Sequence, residues 1–187
     1  MIGCTKTFWH EFSSYQKDRF TKERRVLASR WIFKSEKDPR HFEKMSLLWQ
    51  FSTPYLYKDH VYFGLADGYF YKVRQKTGRL VWQIKLGESI QSDVIIHDDV
   101  AYFGDLEGKI YAVEVGQGTL LWTYNAGASF ISQALVMENE IAFVLSNEAL
   151  IFLDKRTGKF AGNYERRFEK TGIFGNAVPI YDNGKLY

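Results

Sequence analysis

The chain is 187 residues long, 45% hydrophobic and 25% charged, proportions that fit one folded domain and exclude a disordered or fibrous polymer. No run of eighteen apolar residues occurs, which excludes a membrane-spanning helix within it, and the single cysteine excludes an intramolecular disulfide. The formal charge of +3 is uneven, with eleven Lys or Arg against six Asp or Glu in residues 1–50 and fourteen against sixteen beyond; because the basic residues alternate with acids and form no stripe, no nucleic-acid partner is expected.

Residues 1–28 read as a leader or tether. Met1-Ile2-Gly3 places small and apolar residues before Cys4, which resembles the lipobox of bacterial lipoproteins, where such a cysteine is lipidated. No charged n-region and no apolar h-region precede it. Cys4 is therefore either a lipidation site whose signal segment lies upstream of Met1 or an ordinary thiol. Phe8, Trp9, Phe12, Tyr15 and Phe20 follow without a clean period. Residues 29–51 divide into Ser29–Lys34, around Trp31, and an insertion. Ser29–Lys34 reads as the last strand of a repeat unit, one that would complete a unit begun by the C-terminus and remove an open sheet edge.

From residue 52 onward the sequence repeats every forty residues. Ser52, Ser92 and Ser132 open the copies STPYLYKDHVYFG, SDVIIHDDVAYFG and SQALVMENEIAFV, and Asn176 opens a fourth, NAVPIYDNGKLY, after a four-residue insertion. Gly68 and Gly108 begin GYFYKV and GKIYAV, with EALIFLD at the same place in the third copy. Gly78, Gly118 and Gly158 then lie forty apart, and Trp82 and Trp122 follow the first two of them, while Gly162 stands at the third tryptophan position. Trp49 is out of this register. Each unit contains four short runs of β-branched and aromatic residues with polar punctuation, which predicts a four-stranded antiparallel meander and argues against a helical solenoid. The fold class expected is all-β: a β-propeller, here an incomplete arc of about three and a half blades over residues 52–187.

The punctuation carries its own expectations. Asp59, Asp99, Asn139 and Asn183 share one position between the first and second runs, where a short polar side chain hydrogen-bonds its own backbone in a tight turn. The repeated glycines 78, 118 and 158 are expected at positive φ. His97-Asp98-Asp99, which has the residue types of an acid/base or metal cluster, aligns with other hairpin tips and reads as one. Asp105-Leu106-Glu107-Gly108 lacks the alternating oxygens of a calcium loop, and Gly116-Gln117-Gly118 lacks the lysine and helix of a phosphate loop. His10, His41, His60 and His97 show no metal-ligand spacing. The sequence thus offers no catalytic, cofactor-binding or metal-ligating residues; its candidate residues are Cys4 for lipidation and Trp31, Trp82, Trp122, Gly78, Gly118 and Gly158 for structure.

Read together, Gly108 to Val113 (G-x-x-Y-A-V) and Thr77 to Trp82 (T-G-x-x-x-W) resemble the PQQ-type propeller repeat, although the family's aspartate before the turn survives only as Asp154. The resemblance implies that Trp82 and Trp122 pack between neighbouring blades and that Gly162 marks a weakened junction. Two functional classes share the repeat. One is the quinoprotein dehydrogenases, which hold pyrroloquinoline quinone and calcium, often beside a vicinal disulfide. The other is the BamB-like, non-catalytic lipoproteins of the outer-membrane β-barrel assembly machinery. A lipobox-like cysteine, a tether and then repeats fit the second class. Its resemblance implies no cofactor, a protein partner held by propeller loops, membrane attachment through a lipid alone, and the periplasmic side of the outer membrane. A fragment of a dehydrogenase and a ligand-sensing propeller are the alternatives. Tyr187 aligns with Phe103 and Phe143 in a second strand, so the fourth unit is expected to stop half-built.

Overall fold

Alternation with a period of two makes each apolar run a strand, and the short polar links between runs leave only a hairpin connection between neighbours. The computed structural model describes Trp31, Phe33 and residues 52–90, 92–130, 133–147, 149–164, 180–182 and 185–186. Cys4, Trp49, Asn176 and Asn183 lie outside these residues. The chain divides into two compact units, Met1–Ile32 and Phe33–Tyr187. Of the first, Trp31 alone is described, half-buried.

Every regular element among the described residues is a strand. The first sheet contains β1 (Tyr55–Tyr57), β2 (His60–Gly64), β3 (Tyr69–Arg74) and β4 (Leu80–Lys85) in that spatial order. β5 (Ile95–His97), β6 (Val100–Gly104), β7 (Lys109–Glu114) and β8 (Thr119–Asn125) build the second, and β9 (Leu135–Val136), β10 (Glu140–Val144), β11 (Leu150–Asp154) and β12 (Phe160–Tyr164) the third. All pairings are antiparallel between consecutive strands. β13 (Tyr181–Asp182) and β14 (Lys185–Leu186) pair as a hairpin where the fourth unit begins. The forty-residue units are therefore the blades of a propeller, present as an incomplete arc.

The repeated serine has a definite task. Ser52 Oγ donates to Gly64 O at 3.0 Å and Ser92 Oγ to Gly104 O at 3.1 Å, closing the start of the first and second blades onto the end of the second strand; Ser132 lies outside the described residues. Lys58-Asp59 and Asp98-Asp99 sit at φ of 44° and 62° and of 50° and 60°, so both residues of each tip are left-handed, as a two-residue turn of the hairpin twist demands. The tip is tied to its own blade through backbone: Asp59, Asp99 and Asn139 accept at their carbonyls from Gln75, Val115 and Lys155. Gly78, Gly118 and Gly158 have φ of 67°, 78° and 68°.

The outermost strand of each blade carries a bulge. Lys72 pairs with Trp82 but Val73 with Leu80, leaving Val81 as the extra residue; the same shift leaves Leu121 and Ala161 unpaired in β8 and β12. Such a bulge twists an edge strand away from a flat template and discourages edge-to-edge pairing, which matters because Leu80, Val81, Leu120, Leu121 and Phe160 are all exposed there.

The cores lie between blades. One cluster joins Tyr62 and Phe70 of the first blade to Val94, Phe103, Tyr111 and Val113 of the second, with Phe70 and Phe103 stacked at 4.1 Å. Another joins Tyr102, Ile110 and Trp122 of the second blade to Ile141, Phe143 and Leu153 of the third. A blade is thus too thin to bury its own faces, and stability comes from neighbour-to-neighbour contact. Phe33 meets Phe63 and Tyr71 edge-on at 5.3 and 5.2 Å.

Candidate functional site

A meander places the β1–β2 and β3–β4 turns of a blade at one end and the β2–β3 turn with the link to the next blade at the other. The first end holds most of the residues singled out from the sequence. There the tryptophans of the first and second blades lie on the β3–β4-type hairpin of the next blade. Trp82 Nε1 donates to Gly116 O at 3.2 Å, and Trp122 Nε1 donates to Lys155 O at 3.0 Å. The hairpin glycine is needed twice over, for its φ and for the room it leaves. A Cβ on Gly118 would stand 3.1 Å from the Trp82 indole, and one on Gly158 would stand 2.5 Å from that of Trp122. At Gly162, by contrast, an added Cβ meets nothing within 4 Å.

The hairpins of the second and third blades are each braced by an acid. Asp154 Oδ1 accepts from the amides of Arg156 and Thr157 and from the Thr157 hydroxyl, and these bonds hold its carboxyl below the usual range. In the second blade Glu114 does this work with a longer arm, taking Gly116 N at 2.5 Å and Gln117 N at 2.9 Å. Sequence reading had marked the aspartate as surviving in one blade; the signal that finds Glu114 is a carboxylate two residues before the glycine-rich turn, whatever its length.

The hairpin tips add charge at the same end. Asp99 does not turn its carboxylate onto its own backbone as its position suggested. It accepts instead from Lys58 Nζ of the preceding blade, at 2.6 and 2.9 Å. His97 Nδ1 lies 3.0 Å from Asp98 Oδ2 without the direction of a hydrogen bond, and the cluster of His97, Asp98 and Asp99 is a hairpin tip. Lys72, unmarked by the sequence, is buried here with its ammonium against the second hairpin.

The opposite end is held by acid–phenol pairs. Asp105, 2% exposed, accepts from Glu107 N, Lys109 N and, at 2.7 Å, Tyr111 OH. Burial and this bond push the Tyr111 phenol far up. Asp67 makes the corresponding pair with Tyr71 OH at 2.5 Å. The segment Asp105–Gly108 is thus a turn whose carboxylate faces N–H and O–H donors. Among the described residues no group of three or more His, Cys, Asp or Glu is placed to hold a metal ion.

What this arrangement offers is a row of hydrogen-bonded, solvent-facing tips of mixed charge. The family described as outer membrane protein assembly factor BamB matches residues 66–187. No curated protein matches. Among solved structures, BamB from Moraxella catarrhalis is 21% identical over 73% of this chain and 41% of its own, with a TM-score of 0.63. A quinohemoprotein alcohol dehydrogenase from Pseudomonas putida is 17% identical over 60% of this chain and 20% of its own, TM-score 0.52. The computationally designed protein Ika8 is 16% identical over 61% of this chain and 36% of its own, also at 0.52. At these identities the likeness is one of fold, and the chain spans 41% of the Moraxella protein's length.

Proposed function

The chain belongs to the BamB family of propeller proteins, and from that premise we propose that it works as a non-catalytic scaffold in the assembly of outer-membrane β-barrel proteins, holding protein partners through its loops. The match across the repeats carries this reading. Its physical support is that the blades use their aromatic faces on one another, while the hairpin tips are rigidly braced and left facing solvent. Rigid tips lose little conformational entropy on binding, which suits a surface that recognises a partner by shape and charge.

The location follows the same reading. Cys4 would carry the lipid, Thr5 after it is not the aspartate associated with inner-membrane retention, and the protein would face the periplasm from the outer membrane. Each buried acyl methylene contributes about 0.8 kcal/mol, so several chains on one cysteine anchor firmly.

The experiment is to express the gene with its upstream region, fractionate the cells beside a Cys4→Ala variant, and crosslink the membrane fraction. Outer-membrane location that is lost in the variant, with crosslinks to assembly components, supports the proposal. Cytosolic recovery of both forms ends it. A saturable rise in melting temperature with pyrroloquinoline quinone and calcium would move the assignment to the dehydrogenase class.

A further inference from the structure

Lys72 is the one buried lysine among the described residues, 8% exposed, and its side chain leaves its own blade. The ammonium donates to Val115 O at 2.8 Å and Gly116 O at 3.3 Å in the hairpin of the second blade, and it lies 5.5 Å from the Tyr62 ring centre and 5.9 Å from that of Trp82. The same register holds Ala112 in the second blade and Phe152 in the third, each opposite the tryptophan position. No charge is needed to satisfy a hairpin of this kind. At the next junction Lys155 O is taken by neutral groups, Tyr102 OH at 3.2 Å and Trp122 Nε1 at 3.0 Å. Burial also works against the ammonium, lowering its pKa even though Glu114 and Asp99 oppose the shift.

What a charge adds is the power to refuse. The hairpin that Lys72 meets, Glu114-Val115-Gly116-Gln117-Gly118, carries one acid and no base. The corresponding hairpin of the first blade, Arg74-Gln75-Lys76-Thr77-Gly78, carries two bases and no acid, and that of the third, Asp154-Lys155-Arg156-Thr157-Gly158, carries two bases against one acid. Glu114 and Asp154 are both bound to their own turns, so the hairpins differ in the bases they carry and in net sign. Three blades with one backbone plan expose one docking geometry, the condition under which repeat proteins pair wrongly within a chain or between chains. Like charges brought together in a desolvated contact are strongly unfavourable, so a lysine on the docking face sorts these hairpins by sign.

We infer that Lys72 is a specificity residue for blade pairing: it admits the Glu114–Gly118 hairpin to the face of the first blade and rejects the basic hairpins of the other blades, including those of a second copy of the chain. The step goes beyond the scaffold reading and does not depend on it.

The test mixes full-length chains carrying a donor or an acceptor dye at one surface site, refolds them together from urea, and reads copy-to-copy energy transfer alongside the melting temperature. Lys72→Met, which keeps the stem and removes the charge, is expected to leave the melting temperature level or raise it while copy-to-copy transfer rises several-fold. A second variant leaves Lys72 in place and neutralises the wrong hairpin, Lys155→Gln with Arg156→Gln, and is expected to raise transfer as well. A Lys72→Met chain that melts lower with no gain in transfer would make the lysine an ordinary stabilising contact and overturn the inference. Unchanged transfer in both variants overturns it equally.

Discussion

At the junction of the first and second blades an indole and a buried ammonium meet the next hairpin, with the Tyr62 ring 5.5 Å from the ammonium. At the junction of the second and third an indole and a phenol hydroxyl do so, with Ala112 where the ammonium would be. The junction without the ammonium is the tighter one. Trp122 is 8% exposed and leaves 2.5 Å for a Cβ on Gly158, whereas Trp82 is only half-buried and leaves 3.1 Å on Gly118. Holding a lysine between blade and hairpin keeps the indole further off, so the first junction gives up packing and gains a polar contact that depends on its partner's charge. Stability should therefore concentrate at the second junction and selectivity at the first.

The largest effect that would break this contrast is at the tryptophans. Trp122→Ala is expected to destabilise by about 3–5 kcal/mol, the usual result of emptying a buried aromatic site. Trp82→Ala should fall below that range, because part of its indole already faces water and the Lys72 bonds to Val115 and Gly116 remain. Urea unfolding midpoints of the two variants measure the difference. Equal losses would mean that the lysine does not loosen the first junction.

Next come two glycines only four residues apart. Gly158→Ala places a methyl in the left-handed region, at about 1–2 kcal/mol, and drives it into the Trp122 indole, adding about 1–3 kcal/mol of overpacking. Gly162→Ala has neither problem: its φ is not positive and the added carbon meets open space, so a gain of about 0.4–1 kcal/mol is expected from the stiffer unfolded chain. Melting temperatures that move in opposite directions sharpen the picture of a packed hairpin beside an unoccupied tryptophan position. A loss at both would show that the face of the third blade is closer packed than its geometry indicates.

These residues also mark what the sequence could reveal. The forty-residue spacing of Ser52 and Ser92, of Gly78, Gly118 and Gly158, and of Trp82 and Trp122 was legible because each obeys a backbone or packing demand that recurs with every blade. Lys72 was not, since a lysine in Tyr-Lys-Val reads as a solvated strand position; its burial depends on a hairpin that folds over it from the next blade. Asp99 escaped for a related reason. A carboxylate at a turn predicts a local bond, and only the packed arc brings Lys58 of the neighbouring blade within 2.6 Å. Period and turn chemistry are local properties, whereas the polar contacts between blades are set by which blade stands next.

The smallest expected effect is that same ion pair, and its sign can be worked out. The hydrogen bond from Lys58 holds the Asp99 carboxyl below its ordinary 3.8, and the same bond raises Lys58 above 10.5. The Asp99 contribution is therefore fully present above the unfolded value of 3.8 and is lost as pH falls through the folded value; that of Lys58 is present below 10.5 and lost as pH rises through its folded value. Both side chains are largely exposed, at 62% and 53%, so water and salt screen the attraction and the change should be slight. The second junction has no counterpart, because the aligned tips there carry Asp98 and Asn139. Melting curves taken from about pH 5 down to about pH 2 should thus fall slightly more steeply for the parent than for Lys58→Met, and added salt should erase the difference. A difference that survives high salt would mean that the tip pair is sheltered from solvent, and an acid dependence unchanged by Lys58→Met would place the titrating group somewhere other than the first junction.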